Sequence, residues 1–329
     1  MSEIIILTEI GEKIGFGHFS RCSSIAKKLA ENFLVKIYLH VKGKSDFPLE
    51  LGRGIEVIQY NWLEQELPQF QKTDFVIIDS YLAPIEVYNA IESQTALSLA
   101  IDDYYRLKYP TLFILNPNVS ADERKYINPN RMTGNQFVIL REPFIKLDVN
   151  DASSQLKQIC ITVGGSDYRN LIPKFCEQLT PNFPNIAFHI LTANQEYKKK
   201  LEEKYPQKNL TFHGFLNAEE MVEIFQNSDI AVSASGQTLG ELVMTSTPFV
   251  AFCVDIDQHP IQQFYLDQKL IQEKIEWDDE YFIHKIENGI INLKDVNKRQ
   301  QFIEKSRMLI DGKGVERICE RIISELNGI

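Results

Sequence analysis

The feature that most restricts this chain is an alternation that starts twice. Short apolar runs alternate with longer amphipathic segments, the pattern breaks once, and it resumes at Gln158. In the first half, residues 4–7, 35–41, 54–59, 74–78 and 97–101 read as strands. Residues 18–31 read as a helix with Cys22, Ile25, Ala26 and Leu29 on one side, and 63–70 as a second helix. Parallel neighbours need long crossovers, usually helical, so this order implies a largely parallel sheet covered by helices.

Residues 116–135 interrupt the pattern with the turn-rich stretches NPNVSADERKY and NPNRMTGNQ. A last apolar run, 137–140, and the polar segment LDVNDASSQLKQ follow. The domain boundary is expected there, giving an amino-terminal domain over 1–150 and a carboxyl-terminal domain over 151–329. The second half offers strands at 158–163, 186–191, 210–213, 230–233 and 249–254. Helices are expected at 171–179, 197–204, 218–226 and 239–245, with two terminal helices at 297–310 and 314–326. A length of 329 residues also exceeds one typical core. The predicted class is α/β: two Rossmann-like domains facing across a cleft, with ligands beyond the carboxyl ends of the strands.

Composition narrows the partners. Apolar residues make up 44% and charged residues 24%, ordinary values for a folded chain. The formal net charge of -10 argues against nucleic-acid binding, which needs a basic surface. The amino terminus lacks a basic segment ahead of its apolar run, so no secretory leader is expected. No stretch approaches the length of a membrane span, and cytoplasm is the default location. Cys22, Cys160, Cys176, Cys253 and Cys319 are far apart and form no CxxC pair, so neither a disulfide framework nor a thiolate zinc site is suggested.

Three constellations carry chemistry. The first follows the first strand: Gly15 and Gly17 allow a tight turn, and His18 opens the helix. A helix amino terminus attracts anions and favours a neutral imidazole, which can take a proton from water. Ser20 and Arg21 share that first turn, within reach of phosphate or sugar oxygens; simple capping is the plainer alternative. The second is Asp79-Ser80-Tyr81 at the carboxyl end of an apolar strand. Asp79 is placed to orient His18 and Tyr81 to meet substrate, although Asp79 or Ser80 equally suits a helix cap. Asp102 and Asp103 follow the next strand in the same way and give only a weak metal signal.

The third lies in the second half. Gly164-Gly165-Ser166-Asp167 follows a strand and exposes amides suited to phosphate. Ser235-Gly236-Gln237-Thr238 again joins strand to helix, and Glu241, one turn on, is a candidate acceptor for ribose hydroxyls. Thr238 and Glu241 also have capping-box spacing. Asp257 and Gln258 follow the 249–254 strand. His213 is a candidate border of a base pocket.

Residues 14–30, IGFGHFSRCSSIAKKLA, resemble the amino-terminal motif of the UDP-sugar hydrolases of pseudaminic acid biosynthesis, a family related to the MurG-type GT-B glycosyltransferases. The resemblance extends through IIDSY at 77–81, IDD at 101–103, residues 134–144, VGGSD at 163–167 and SASGQTLGEL at 233–242. It implies metal-independent hydrolysis of a UDP-activated diacetamido-trideoxyhexose without a cofactor. His18 and Tyr81 are implied as catalytic residues. Gly17, Arg21, Asp79, Gly165, Ser235, Gly236, Thr238, Glu241, Asp257 and Gln258 are the expected substrate contacts. Two positions depart from the family pattern: Ser80 stands where the family has histidine, and Asp257 where it has asparagine. Such changes suit a different sugar, or a relative that transfers the sugar to an acceptor as a GT-B glycosyltransferase.

Overall fold

The computed structural model describes all residues except 1–2, 12–13, 44–50, 146, 149–150, 166, 193 and 329. The chain forms two compact units, Met1–Arg141 with Gly312–Ile329, and Glu142–Asp311. The sequence division near 150 assigned both terminal helices to the second half; residues 149–150 lie outside the described residues, and the last helix packs with the first unit.

In the first unit β1 (Ile4–Gly11) leads into α1 (Gly17–Leu29), followed by β2 (Val35–Lys42), β3 (Ile55–Gln59), β4 (Phe75–Asp79), α2 (Ile85–Glu92), β5 (Ser98–Ile101), β6 (Phe113–Asn116) and β7 (Arg131–Thr133). The sheet order is β3-β2-β1-β4-β5-β6-β7, every pair parallel. Because both faces are covered, β4 and β5 are buried at every position, which is why they read as near-continuous apolar runs, interrupted only by Asp79 and Ser98. The chain leaves β1 toward β2 and β3, then returns to the other side of β1 as β4. The order therefore reverses between β1 and β4, where open α/β sheets place their ligands.

The second unit contains β8 (Gln158–Thr162), α3 (Leu171–Lys174, continued by a π-helical turn over Phe175–Leu179), β9 (Ala187–Leu191), α4 (Gln195–Lys204), β10 (Leu210–His213) and α5 (Ala218–Asn227). It continues with β11 (Ile230–Ala234), α6 (Thr238–Met244), β12 (Phe249–Phe252), α7 (His259–Asp267), α8 (Phe282–Asn292) and α9 (Val296–Ser306). The parallel order β10-β9-β8-β11-β12 reverses between β8 and β11.

The last helix, α10 (Gly314–Asn327), buries Val315, Ile318, Cys319 and Ile322 among the side chains of β1, β2 and α1. Its first residue must be small. A Cβ on Gly314 would come within 2.1 Å of the Val138 carbonyl oxygen. Arg317 Nη1 donates to the Gln136 carbonyl at 2.9 Å beside that contact.

Residues 63–70 do not form the expected helix. Pro68 supplies no amide and pushes Leu67 toward an extended backbone. The apolar side chains still turn inward: Leu63, Leu67 and Phe70 join a cluster with buried Trp62, whose indole donates to the Thr8 carbonyl at 3.0 Å. The apolar run 137–140 contains no strand; a 3-10 turn over Asn135–Phe137 leads into it. Among the described residues, no helix is long and apolar enough to cross a membrane.

Candidate functional site

The reversal between β1 and β4 gathers the first two constellations. His18 is the second residue of α1, and Asp79 ends β4, paired in register with Thr8 of β1. Asp79 Oδ1 accepts from His18 Nδ1 at 2.6 Å and from Arg21 Nη2 at 2.6 Å; Oδ2 accepts from Arg21 Nε at 2.6 Å. Arg21 Nη1 donates to Asp103 Oδ1 at 2.8 Å. Tyr81 sets its ring edge-on to His18 with centroids 4.1 Å apart, and its hydroxyl donates to Asp103 Oδ2 at 2.6 Å.

The charges follow from these contacts. Burial would raise the Asp79 carboxyl, but the Arg21 and His18 partners outweigh it and hold the group well below the usual carboxylate range. Burial likewise opposes the Arg21 charge, yet Asp103 and Asp79 hold that guanidinium firmly protonated. Burial, reinforced by Asp103, pushes the Tyr81 phenol far above its ordinary value, so it stays a donor. An ionised Asp79 only accepts, which requires His18 Nδ1 to carry a hydrogen. A neutral His18 therefore presents its lone pair at Nε2, the ring nitrogen that Asp79 does not engage. The arrangement is a base oriented by a carboxylate, the order used by acid–base catalysts.

Ser80 turns away from this cluster. It is buried, donates to Glu9 Oε2 at 2.5 Å, and accepts from the amides of Leu82 and Ala83. Glu9 also accepts the Tyr81 amide at 2.7 Å. Thus Ser80 caps the turn while Asp79 does not. The adjacent acids diverge as well: Asp102 accepts from the hydroxyls of Tyr109 and Tyr126, and Asp103 joins Arg21 and Tyr81. Arg21, expected at phosphate or sugar oxygens, directs three N–H groups inward to Asp79 and Asp103. Gly17 is exposed beside buried His18, and Gly15 adopts φ 73°, a conformation that favours glycine.

In the second unit, the loops after β8 and β11 lie at that sheet's own reversal. Gly164 has φ 93°, and a Cβ added at Gly164, Gly165 or Gly236 would meet nothing within 4 Å, so both backbones border open space. Ser166 lies outside the described residues. Asp167 caps α3, accepting from the amides of Leu171 and Ile172. Ser235 and Gly236 use their own amides on Phe252 and Ala234 carbonyls, whereas among the described residues Gln237 and Thr238 donate theirs to no backbone carbonyl. The cap of α6 is Gln237, so Thr238 opens the helix rather than capping it, and half-buried Glu241 stands one turn further on. The Ser235 hydroxyl is fully buried beside the Cys253 thiol, pointing into the unit. Asp257 is exposed; Gln258 accepts the Val254 amide at 3.0 Å through its side chain. His213 pairs with His189 at 3.1 Å.

Sequence reasoning paired Asp79 with His18 and put Arg21 and Tyr81 in the adjoining loops, without the bonds that tie Arg21 to Asp79. It missed Glu9 and the role of Asp103. An acid inside the apolar run of β1 is the available signal for Glu9; the two acids after β5 give, from sequence, only a weak metal signal.

Comparison with known proteins adds the following. The family model of lipid-A-disaccharide synthetase matches residues 147–271. An uncharacterised protein of Methanocaldococcus jannaschii is 24% identical over 75% of this chain and 55% of its own length. The Helicobacter pylori pseudaminic acid cytidylyltransferase and UDP-2,4-diacetamido-2,4,6-trideoxy-beta-L-altropyranose hydrolase is 25% identical over 71% of this chain and 41% of its own. The chain thus spans about half the length of the curated relatives it matches. Among solved structures, MurG of Acinetobacter baumannii superposes with a TM-score of 0.63 at 13% identity, covering 98% of this chain and 99% of that one. The glycotransferase of kitacinnamycin gives 0.67 at 13%, covering 99% and 100%. S. aureus MnaA with UDP gives 0.65 at 12%, covering 100% and 98%. These likenesses establish the fold: two parallel-sheet α/β domains of the GT-B type.

Proposed function

We propose that this chain binds a UDP-sugar and hydrolyses it, releasing UDP and a free diacetamido-trideoxyhexose. The observation that carries the reading is the 2.6 Å bond between His18 Nδ1 and the ionised Asp79, which leaves Nε2 as the proton acceptor. In the proposed step, Nε2 takes a proton from water as the water oxygen bonds the anomeric carbon. The bond from that carbon to the β-phosphate oxygen breaks, and UDP leaves with the electron pair. Tyr81, held protonated, shapes the wall beside the imidazole. The open glycines at 164–165 and 236, the amides of Gln237 and Thr238, and Glu241 are proposed to hold the UDP portion. The hydrolase named among the curated relatives supports the choice of sugar class.

A second reading is transfer of the sugar to an acceptor hydroxyl, activated by the same Nε2. The fold shared with MurG and the kitacinnamycin glycotransferase favours it. One experiment separates the two: incubate the purified chain with UDP-diacetamido-trideoxyhexoses, without acceptor and with chelator. Hydrolysis predicts UDP and free sugar, and His18→Ala should slow their release by roughly 100-fold or more while UDP still binds. Full activity in His18→Ala would remove the residue from catalysis. Turnover only after an acceptor is added would establish transfer.

A further inference from the structure

Beyond strand β12 the second unit assembles three metal-ligating groups from separate places in the sequence. Cys253 follows β12 directly, His259 is the first residue of α7, and Glu276 forms a β-bridge with Cys253. The bridge is held by the Cys253 amide on the Ile275 carbonyl at 2.8 Å and the Trp277 amide on the Cys253 carbonyl at 3.0 Å. His259 Nε2 lies 2.9 Å from Glu276 Oε2, and the thiol, imidazole and carboxylate atoms all fall within 4.8 Å of one another. Among the described residues, no other three acidic, histidine or cysteine side chains converge this way.

We propose that Cys253, His259 and Glu276 form a binding site for a thiolate-preferring divalent cation, Zn²⁺ in the first place, with three protein ligands and a fourth position for water. Sulfur, imidazole and carboxylate donors together suit zinc better than magnesium or calcium, which take oxygen. Ligand bonds of about 2.0–2.3 Å around a tetrahedral centre set ligand atoms roughly 3.4–3.8 Å apart. The His259–Glu276 pair, at 2.9 Å, must open slightly, and no ligand pair exceeds 4.8 Å, so only small side-chain adjustments are needed. The side chains of His259 and Glu276 are 44% and 37% exposed and have the freedom to make them, while the bridge fixes Cys253.

A second observation points the same way. The Ser235 hydroxyl is fully buried, faces the Cys253 thiol, and makes no hydrogen bond of good geometry. Metal binding replaces the S–H bond by a metal–sulfur bond and releases the proton to water, giving Ser235 an anionic sulfur to donate to. The cation would also tie together both ends of the segment that carries Asp257 and Gln258. This site lies outside the proposed hydrolytic machinery and stands or falls without it.

The test uses the full chain, Co²⁺ as a spectroscopic probe and Zn²⁺ as competitor. Co²⁺ should give a near-ultraviolet sulfur-to-cobalt charge-transfer band that Zn²⁺ abolishes. The band should vanish in Cys253→Ser, and His259→Ala and Glu276→Gln should each weaken Zn²⁺ binding by at least about tenfold. The latter two alter half-exposed side chains, so they report even if Cys253→Ser folds poorly. Absence of the band in the unsubstituted chain, or Zn²⁺ binding unchanged by His259→Ala and Glu276→Gln, would overturn the proposal.

Discussion

Replacing Asp79 with asparagine changes one oxygen to an amide and little else in size, and its consequences can be worked out atom by atom. Asp79 Oδ1 takes hydrogens from both His18 and Arg21, and Oδ2 takes one from Arg21 Nε. If the asparagine oxygen keeps the Oδ1 position, its NH₂ confronts Arg21 Nε, donor against donor. If the amide is reversed, the NH₂ confronts His18 and Arg21 Nη2. His18 relieves half of that conflict by moving its hydrogen to Nε2, which removes the lone pair that the proposed reaction needs. Either way the buried guanidinium loses one of its two carboxylates and keeps Asp103 at 2.8 Å, so the change should cost about 1–3 kcal/mol, less than a fully unpaired buried charge. Chemical denaturation should therefore show the first unit destabilised on that scale. Sugar release, measured under conditions where the variant is folded, should fall by roughly 1,000-fold or more, as expected when a base is held in the wrong tautomer. UDP affinity is the control, since its proposed contacts lie on the other unit. Wild-type stability together with wild-type turnover would refute the reasoning. Lost stability with normal turnover would make the cluster purely structural.

Other consequences are simpler. Glu241→Ala should weaken UDP binding by roughly 2 kcal/mol or more, the scale of one lost charged hydrogen-bonding partner, as read by calorimetric titration. Gly314→Ala forces a methyl against the Val138 backbone and should lower stability by about 1–3 kcal/mol in thermal unfolding, with the loss falling on the first unit. Asp79 is held below its unfolded value by its cationic partners, so its contribution is fully present above about pH 4 and declines as the solution becomes more acid. Denaturation measured from pH 5 to pH 2 should show that decline, and Asp79→Asn should flatten it.

Local pattern determined much of this molecule. Near-continuous apolar runs announced β4 and β5 because a parallel sheet covered on both faces buries every residue of a central strand. Loops that follow strands and open helices announced His18, Asp79 and the 235–241 segment, because strand ends are where an α/β unit leaves polar groups near solvent. Periodicity failed at 63–70, where the side chains found the core without a helix because a proline stood among them.

Only the tertiary structure decided which of these residues meet. Arg21 reaches Asp103 across 82 positions of sequence, and Ser80 reaches Glu9 across 71, because the strand order places β4 beside β1 and β5 beside β4. No local period encodes that adjacency. The same holds for α10, whose amphipathic face suits any apolar surface and whose partner is chosen by the path of the chain back to the first unit. Cys253, His259 and Glu276 have no recognisable spacing at all. A backbone bridge and a helix start, both products of the folded unit, bring their three ligand atoms within one coordination sphere's reach.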